Sequence, residues 1–301
     1  MPNGQWYPPE WPDRIRALAN GELTAATPKR AATVLLLSDG ATGAEGAGLS
    51  VHMLRRRASM AFAGGAYAYP GGGVDPRDDD SLVRWAGPPL DRWAGSLGLG
   101  EDLGGAQAVV CAAVRETFEE AGVLLAGPTP DTVVDDTTGE DWEADRQALV
   151  ARELGFAEFL DRRKLVLRSD LLGPWARWIT PEFEPRRYDT FFFVAALPAG
   201  QRTRNASTEA DRTVWITPGR AAAGYDRGEL VMMPPTISTL RGLQPYGTVS
   251  EVLAGAAGRD MTPVLAQARL EGGELVLSWP GHDEFTKHIP AADTPATGGT
   301  Q

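Results

Sequence analysis

The chain has 301 residues, 43% of them hydrophobic, enough for one large globular domain or two small ones, and its frequent Gly and Pro show no collagen-like period. Lys+Arg number 29 against 40 Asp+Glu, and the net charge of -11 argues against a nucleic acid polymer or an anionic membrane as partner, while leaving room for a small basic pocket. A single cysteine, Cys111, excludes an intramolecular disulfide, and no apolar run approaches the roughly 20 residues of a membrane helix, so a soluble cytoplasmic protein is expected.

In chain order, residues 1–27 read as a polar, Pro-containing lead with a short helix over 13–19. Residues 31–37 form a strand-sized apolar run, 39–48 a Gly/Ala-rich loop, and 49–54 a second strand ending in Arg55, Arg56 and Arg57. Pro70-Gly71-Gly72-Gly73 is expected to be a tight turn, followed by an Asp/Pro/Gly/Trp-rich stretch. A helix is predicted over 106–122, closed by Gly122 at the C′ position. Further helices are predicted over 142–154 and 156–163, and strands over 165–167, 178–180, 188–196 and 213–216. Helices starting at 218, 235 and 249 and a strand over 275–278 complete the pattern; the tail 290–301 is expected to be mobile. Strands and helices do not alternate regularly, which fits an α/β or α+β sandwich better than a doubly wound sheet.

The stretch Arg115-Glu116-Thr117-Phe118-Glu119-Glu120-Ala121-Gly122-Val123 concentrates charge. On a helix Glu116, Glu119 and Glu120 stand at i,i+3 and i,i+4 spacing and converge on one face. Negative charge near a helix C-terminus gains nothing from the helix dipole, so a partner is needed. A hard divalent cation suits carboxylate oxygens, leaves room to bridge to substrate phosphates, and lowers the pKa of water bound to it. The glycines at 71 and 72 could present backbone N–H groups to an anionic substrate. A solvated acidic face is the competing reading.

Arg-Glu-Thr-Phe-Glu-Glu-Ala-Gly-Val resembles the second half of the Nudix box, Gly-x5-Glu-x7-Arg-Glu-U-x-Glu-Glu-x-Gly-U with U apolar. The resemblance implies a Nudix-type α/β/α sandwich with a mixed sheet and additional helices, and a Mg²⁺- or Mn²⁺-dependent hydrolase of a small-molecule diphosphate. It makes Glu116, Glu119 and Glu120 the metal-binding glutamates and Arg115 their orienting partner, with Gly71 and Gly72 at the entry to the box. In the family form the opening glycine lies 14 residues before the arginine; here Gly72 lies 43 before Arg115, so about 29 residues are inserted. Counting back from Arg115 puts the upstream glutamate of the box at Gln107, and Thr117 takes a normally apolar position.

An insertion within the box, about 78–105, resembles the subgroup of Nudix enzymes that includes the peroxisomal coenzyme A diphosphatase and its bacterial relatives. The Trp178 to Glu182 and Pro185 to Thr190 stretches support it, and the likeness runs over 28–245, with 246–289 as a C-terminal extension packed on that domain. Coenzyme A is the substrate this implies; a nucleotide sugar, a dinucleotide, or a non-catalytic nucleotide-sensing module are the alternatives. Such enzymes often draw one more acid from a later loop, and Glu209 is the candidate, with Asp211 second. Arg186 and Arg187 are the candidate phosphate contacts, ahead of Arg56 and Arg57. The insertion and the Arg186/Arg187 stretch are the segments expected to bear on the pocket. The insertion's aromatics or 246–289 are the candidate faces for a homodimer.

Overall fold

A computed structural model describes residues 7–40, 48–59, 63–80, 82–271 and 274–289. The chain divides into two compact units, the larger formed by residues 29–178 and 188–263, the smaller by 1–28, 179–187 and 264–301. The expected tail 290–301 lies outside the described residues.

In the smaller unit, helix α1 (Trp11–Ala19) docks on the 179–187 segment. Trp11 Nε1 donates to Glu184 at 2.6 Å, and the Trp11 ring meets Phe183 edge-on at 5.2 Å. The last strands of the chain, numbered after the ten of the larger unit, are β11 (Val264–Leu265), β12 (Gln267–Glu271), β13 (Glu274–Ser278) and β14 (Lys287–Ile289); β12, β13 and β14 form an antiparallel sheet with β13 central.

The larger unit is built on a mixed sheet. Its strands are β1 (Lys29–Ser38), β2 (Ser50–Arg56), β3 (Tyr67–Ala68), β4 (Gly71–Gly73), β8 (Gly173–Ile179), β9 (Tyr188–Ala196) and β10 (Ala210–Ile216), with β5 (Trp85–Ala86), β6 (Ala126–Gly127) and β7 (Val166–Arg168) in a separate small sheet. The central order is β10-β2-β1-β9-β8; β1 runs parallel to β9 and antiparallel to β2. β1 carries an unbroken apolar run over Val34–Leu37 and β9 one over Phe191–Ala196, as strands covered on both faces do. Helices α2 (Leu90–Ser96) and α3 (Leu103–Ala121) share the core of one face with Ala32, Val34, Phe191 and Phe193. Helices α4 (Glu140–Val150) and α5 (Phe156–Arg162) extend that layer, and α6 (Pro218–Asp226), α7 (Pro234–Arg241) and α8 (Val249–Ala256) complete the helical complement. This is the expected Nudix-type α/β/α sandwich.

One expectation is corrected here. Gly71–Gly73 is a strand, not a turn: it pairs antiparallel with β1, Thr33 opposite Gly71 and Ala31 opposite Gly73. A Cβ on Gly71 would come within 2.6 Å of the Ala32 carbonyl oxygen, so only glycine lets the two backbones approach this closely. The inserted segment carries α2, which packs on α3 with Trp93 and Leu97 buried in the core. It thickens the helical layer.

Candidate active site

Helix α3 is the element that gathers the charged residues. Asp102 caps its start, accepting from Gly105 N–H at 2.8 Å, and Gly122 ends it in the left-handed conformation at φ 70. Gly122 is also a contact, because the Arg204 guanidinium lies where a Cβ would project, with Nε at 2.5 Å. Along the buried side run Val109, Val110, Ala113, Val114 and Phe118, while Arg115, Glu116, Glu119 and Glu120 line a cleft of about 210 Å³. Thr117 takes its apolar position without strain on satisfaction, since its hydroxyl donates to the Ala113 carbonyl at 2.7 Å.

Arg115 is the hub. Its Nε and Nη2 donate to the two oxygens of Asp78, each at 3.0 Å, and Nη2 also reaches the Gly73 carbonyl at 2.9 Å. Its Nη1 donates to Glu116 at 2.7 Å and to Glu119 at 3.1 Å. Burial by itself would lower the Arg115 pKa, but Asp78, Glu116 and Glu119 more than offset it and the net shift is upward. Asp78 is buried, and burial raises its carboxyl against the opposing pull of Arg115.

Asp78 changes the reading of the box. It lies six residues after Gly72, so the motif reads Gly-x5-Asp and the insertion follows the acid instead of preceding it. Counting backward from Arg115 led to Gln107; counting forward from Gly72 would have found Asp78. Gln107 has a different task, donating from Nε2 to the Asp80 carbonyl at 2.7 Å and so tying the start of the insertion to α3.

Gly71 and Gly72 lie against the glutamates. The Gly71 N–H donates to Glu120 at 2.8 Å, and a Cβ on Gly72 would lie 2.6 Å from the Glu116 carboxyl carbon. Glu120 also accepts from the Ser207 hydroxyl at 3.2 Å. Burial pushes Glu120 up to about 8, partly opposed by the Gly71 N–H; it pushes Glu116 up to about 7, partly opposed by Arg115. Glu119 is raised by the same cause.

The opposite wall is the loop 206–209. Glu209 lines the cleft with an exposed side chain, and its carboxylate stands 3.6 Å from Arg56. Arg57 pins that loop to the end of β2: its N–H donates to the Glu209 carbonyl and its Nε to the Thr208 carbonyl. Asp211, the second candidate, is held by Arg55 at 2.8 Å, and that contact lowers its pKa. From the helical side, buried Arg146 of α4 donates through Nη1 to the Glu119 carbonyl at 2.7 Å and to the Ala206 carbonyl at 3.3 Å, while Glu143 grips its other edge. Arg146 therefore ties the acidic helix to the Glu209 loop. Nothing in its sequence context announces this, because its partners are backbone carbonyls distant in sequence.

Arg186 and Arg187 belong to the smaller unit. Arg187 is buried and donates to the Thr180 and Ala26 carbonyls at 3.0 and 2.7 Å, a structural use of the guanidinium, and Arg186 is exposed. Trp93, Trp175 and Trp178 are core residues.

Among the described residues, no group of three or more His, Cys, Asp or Glu stands gathered as a ligand set. Glu116 and Glu119 rest on Arg115, and Glu120 on Gly71 and Ser207. The donor chemistry nonetheless suits a hard divalent cation: carboxylates only, at one cleft, with more negative charge than Arg115 can balance. No helix among the described residues is long and apolar enough to cross a membrane.

A family model described as the NUDT19 Nudix domain matches residues 93–243. The chain is similar to the acyl-coenzyme A diphosphatase NUDT19 of Xenopus laevis, 26% identical over 272 residues that cover 78% of this chain and 71% of that one. It is likewise similar to the Homo sapiens protein of that name, 27% identical over 255 residues, covering 70% and 65%. The Gallus gallus protein of that name is 29% identical over 171 residues, with 51% of this chain and 45% of that one covered. Among solved structures, a Nudix hydrolase from Alicyclobacillus acidocaldarius superposes with a TM-score of 0.62 at 25% identity, covering 76% of this chain and 96% of that one. The family match begins after Gly72 and Asp78, so their part in the box rests on the geometry around Arg115.

Proposed function

The chain belongs to the family of the NUDT19 Nudix domain, and on that premise we propose that it hydrolyses the diphosphate bond of coenzyme A or an acyl derivative with the help of Mg²⁺ or Mn²⁺. The observation that carries this reading is the convergence of Glu116, Glu119, Glu120 and Glu209 on one cleft whose central arginine is already engaged by Asp78. The coenzyme A part rests on the relatives' similarity and on the long insertion within the box.

Glu116, Glu119 and Glu120 are the residues that would hold the cation. When bound, it supplies positive charge against the diphosphate oxygens, whose negative charge grows toward the transition state. Arg115, locked by Asp78, holds Glu116 and Glu119 in place, and Gly71 does the same for Glu120. Glu209, exposed at the wall of the cleft, accepts the proton of the attacking water. The bridging P–O bond breaks as the water oxygen joins phosphorus; from coenzyme A the products are 3′,5′-ADP and 4′-phosphopantetheine.

The test is product analysis over a panel of coenzyme A, acyl-coenzyme A, nucleotide sugars and dinucleotides, with Mg²⁺, with Mn²⁺ and with chelator. Metal-dependent cleavage of the coenzyme A compounds at the highest kcat/KM is the expected result. Preference for a nucleotide sugar would reject the substrate assignment, and absence of turnover on every diphosphate would reject the hydrolase.

A further inference from the structure

Three arginines line the acidic cleft, and two are committed. Arg115 is held by Asp78, and Arg77 is bidentate on Asp75, at 2.9 and 3.0 Å. The third, Arg152, is exposed and its guanidinium has no partner among the described residues. Its backbone, in contrast, is fixed. Arg152 N–H donates to the Leu149 carbonyl and Glu153 N–H to the Ala148 carbonyl, each at 2.9 Å, a Schellman closure of α4. Arg77 Nη1 donates to the Arg152 carbonyl at 3.3 Å, joining this corner to the segment that carries Asp75 and Asp78.

The closing position of such a motif favours glycine, and Arg152 occupies it at φ 59. That conformation alone does not mark a site, since Lys164 ends α5 at φ 57 and pairs with Asp161 on the surface. Location and charge are what separate Arg152. It brings an uncommitted planar cation to a cleft crowded with carboxylates, where an incoming phosphate finds no other free guanidinium among the described lining residues.

We propose that Arg152 is a substrate-binding residue that takes a phosphate oxyanion of the substrate. This rests on the reading of the cleft as a diphosphate site. Two phosphates could supply the oxyanion: the 5′-phosphate that belongs to the anhydride, or the separate 3′-phosphomonoester of a coenzyme A-type nucleotide.

The experiment measures binding of 3′,5′-ADP and of 5′-AMP by calorimetry to the full chain, with and without Mg²⁺, for wild type, Arg152→Gly and Arg152→Lys. Glycine suits the left-handed position, so Arg152→Gly should fold with an unchanged or higher Tm. Its affinity for 3′,5′-ADP should fall about tenfold, with Arg152→Lys between the two, because a charge-assisted contact at a partly exposed site is lost. Loss confined to 3′,5′-ADP assigns Arg152 to the 3′-phosphate; loss on both nucleotides assigns it to the 5′-phosphate. In steady-state assays on coenzyme A the loss should fall on KM more than on kcat. Unchanged affinity of Arg152→Gly for both nucleotides, or a wild type that binds neither, overturns the proposal. A wild type that binds them with this Arg152 dependence yet cleaves no diphosphate would reject the hydrolase and leave this assignment standing.

Discussion

Asp78 and Arg115 meet in a bidentate pair with both contacts at 3.0 Å, although they stand 37 positions apart in the sequence. Asp78 is buried, and the Arg115 side chain is 11% exposed, so the pair is screened from water where it bears on Glu116 and Glu119. Removing one partner of such a pair strands the other charge, a loss of about 3–5 kcal/mol. Asp78→Asn should therefore lower stability strongly in chemical denaturation and release Arg115 from its fixed orientation. Hydrolysis should fall by a larger factor than the folded fraction does. Equal declines in activity and folded fraction would mean that Asp78 only stabilises the fold.

Glu120→Gln should abolish most hydrolysis while the protein stays folded, because the amide still accepts from Gly71 N–H. It should also change the pH dependence of stability in metal-free protein. The Glu120 carboxyl is raised to about 8 in the folded chain, above its ordinary value near 4.5, so the folded state binds the proton more tightly than the unfolded state. Its contribution is fully present below about pH 4.5 and is lost as pH rises to about 8. Glu116, raised to about 7, adds a contribution of the same sign. Denaturant titrations of metal-free wild type from pH 5 to 8.5 should show this loss, and Glu120→Gln should reduce it. An unchanged slope in the variant would reject the role given to burial.

Gly71→Ala and Gly72→Ala should behave differently. A Cβ on Gly71 would meet backbone, the Ala32 oxygen at 2.6 Å and the Thr33 Cα at 2.8 Å, which cannot yield without moving β1. Destabilisation of about 1–3 kcal/mol is expected. On Gly72 its three nearest neighbours would all be atoms of the Glu116 carboxylate, the far end of a side chain. Gly72→Ala should keep a near-wild-type Tm and lose activity, the signature of a displaced carboxylate; retained activity would show that Glu116 is not needed where it stands.

Arg146→Lys should weaken the tie between α3 and the Glu209 loop. Lysine keeps the charge but cannot bond the Glu119 and Ala206 carbonyls while also gripping Glu143 in a fork. We expect kcat to fall about tenfold with KM nearly constant, since a positioning change acts through Glu119 and Glu209. A variant with unchanged kcat would show that the loop holds its place through Arg57 alone.

Much of this was legible in the sequence wherever signals are local. The helix predicted over 106–122 is Leu103–Ala121, with Gly122 closing it, because i,i+3 and i,i+4 spacing and the C′ glycine are short-range features. The strand 188–196 was read at its observed bounds, its apolar run matching a strand covered on both faces. What escaped was non-local. Gly71–Gly73 has poor strand propensity and became a strand only by pairing with β1. Arg187 bonds backbone carbonyls distant in sequence, a use no motif announces, and Arg146, Arg152 and Ser207 likewise carried no motif at all.

By itself, then, the sequence determined the acidic helix, its register and the kind of chemistry three converging carboxylates invite. Side-chain periodicity and glycine placement set those before any tertiary contact forms. The sequence offers two positions for the acid, one counted from each end of the box, and the folded chain decided between them, because Asp78 reaches Arg115 across the insertion. It likewise decided that the insertion thickens the core, and that Arg152 is the uncommitted cation among the three arginines lining the cleft. A guanidinium's role depends on which oxygens fall within about 3 Å of it, and that distance is set by packing and not by sequence spacing.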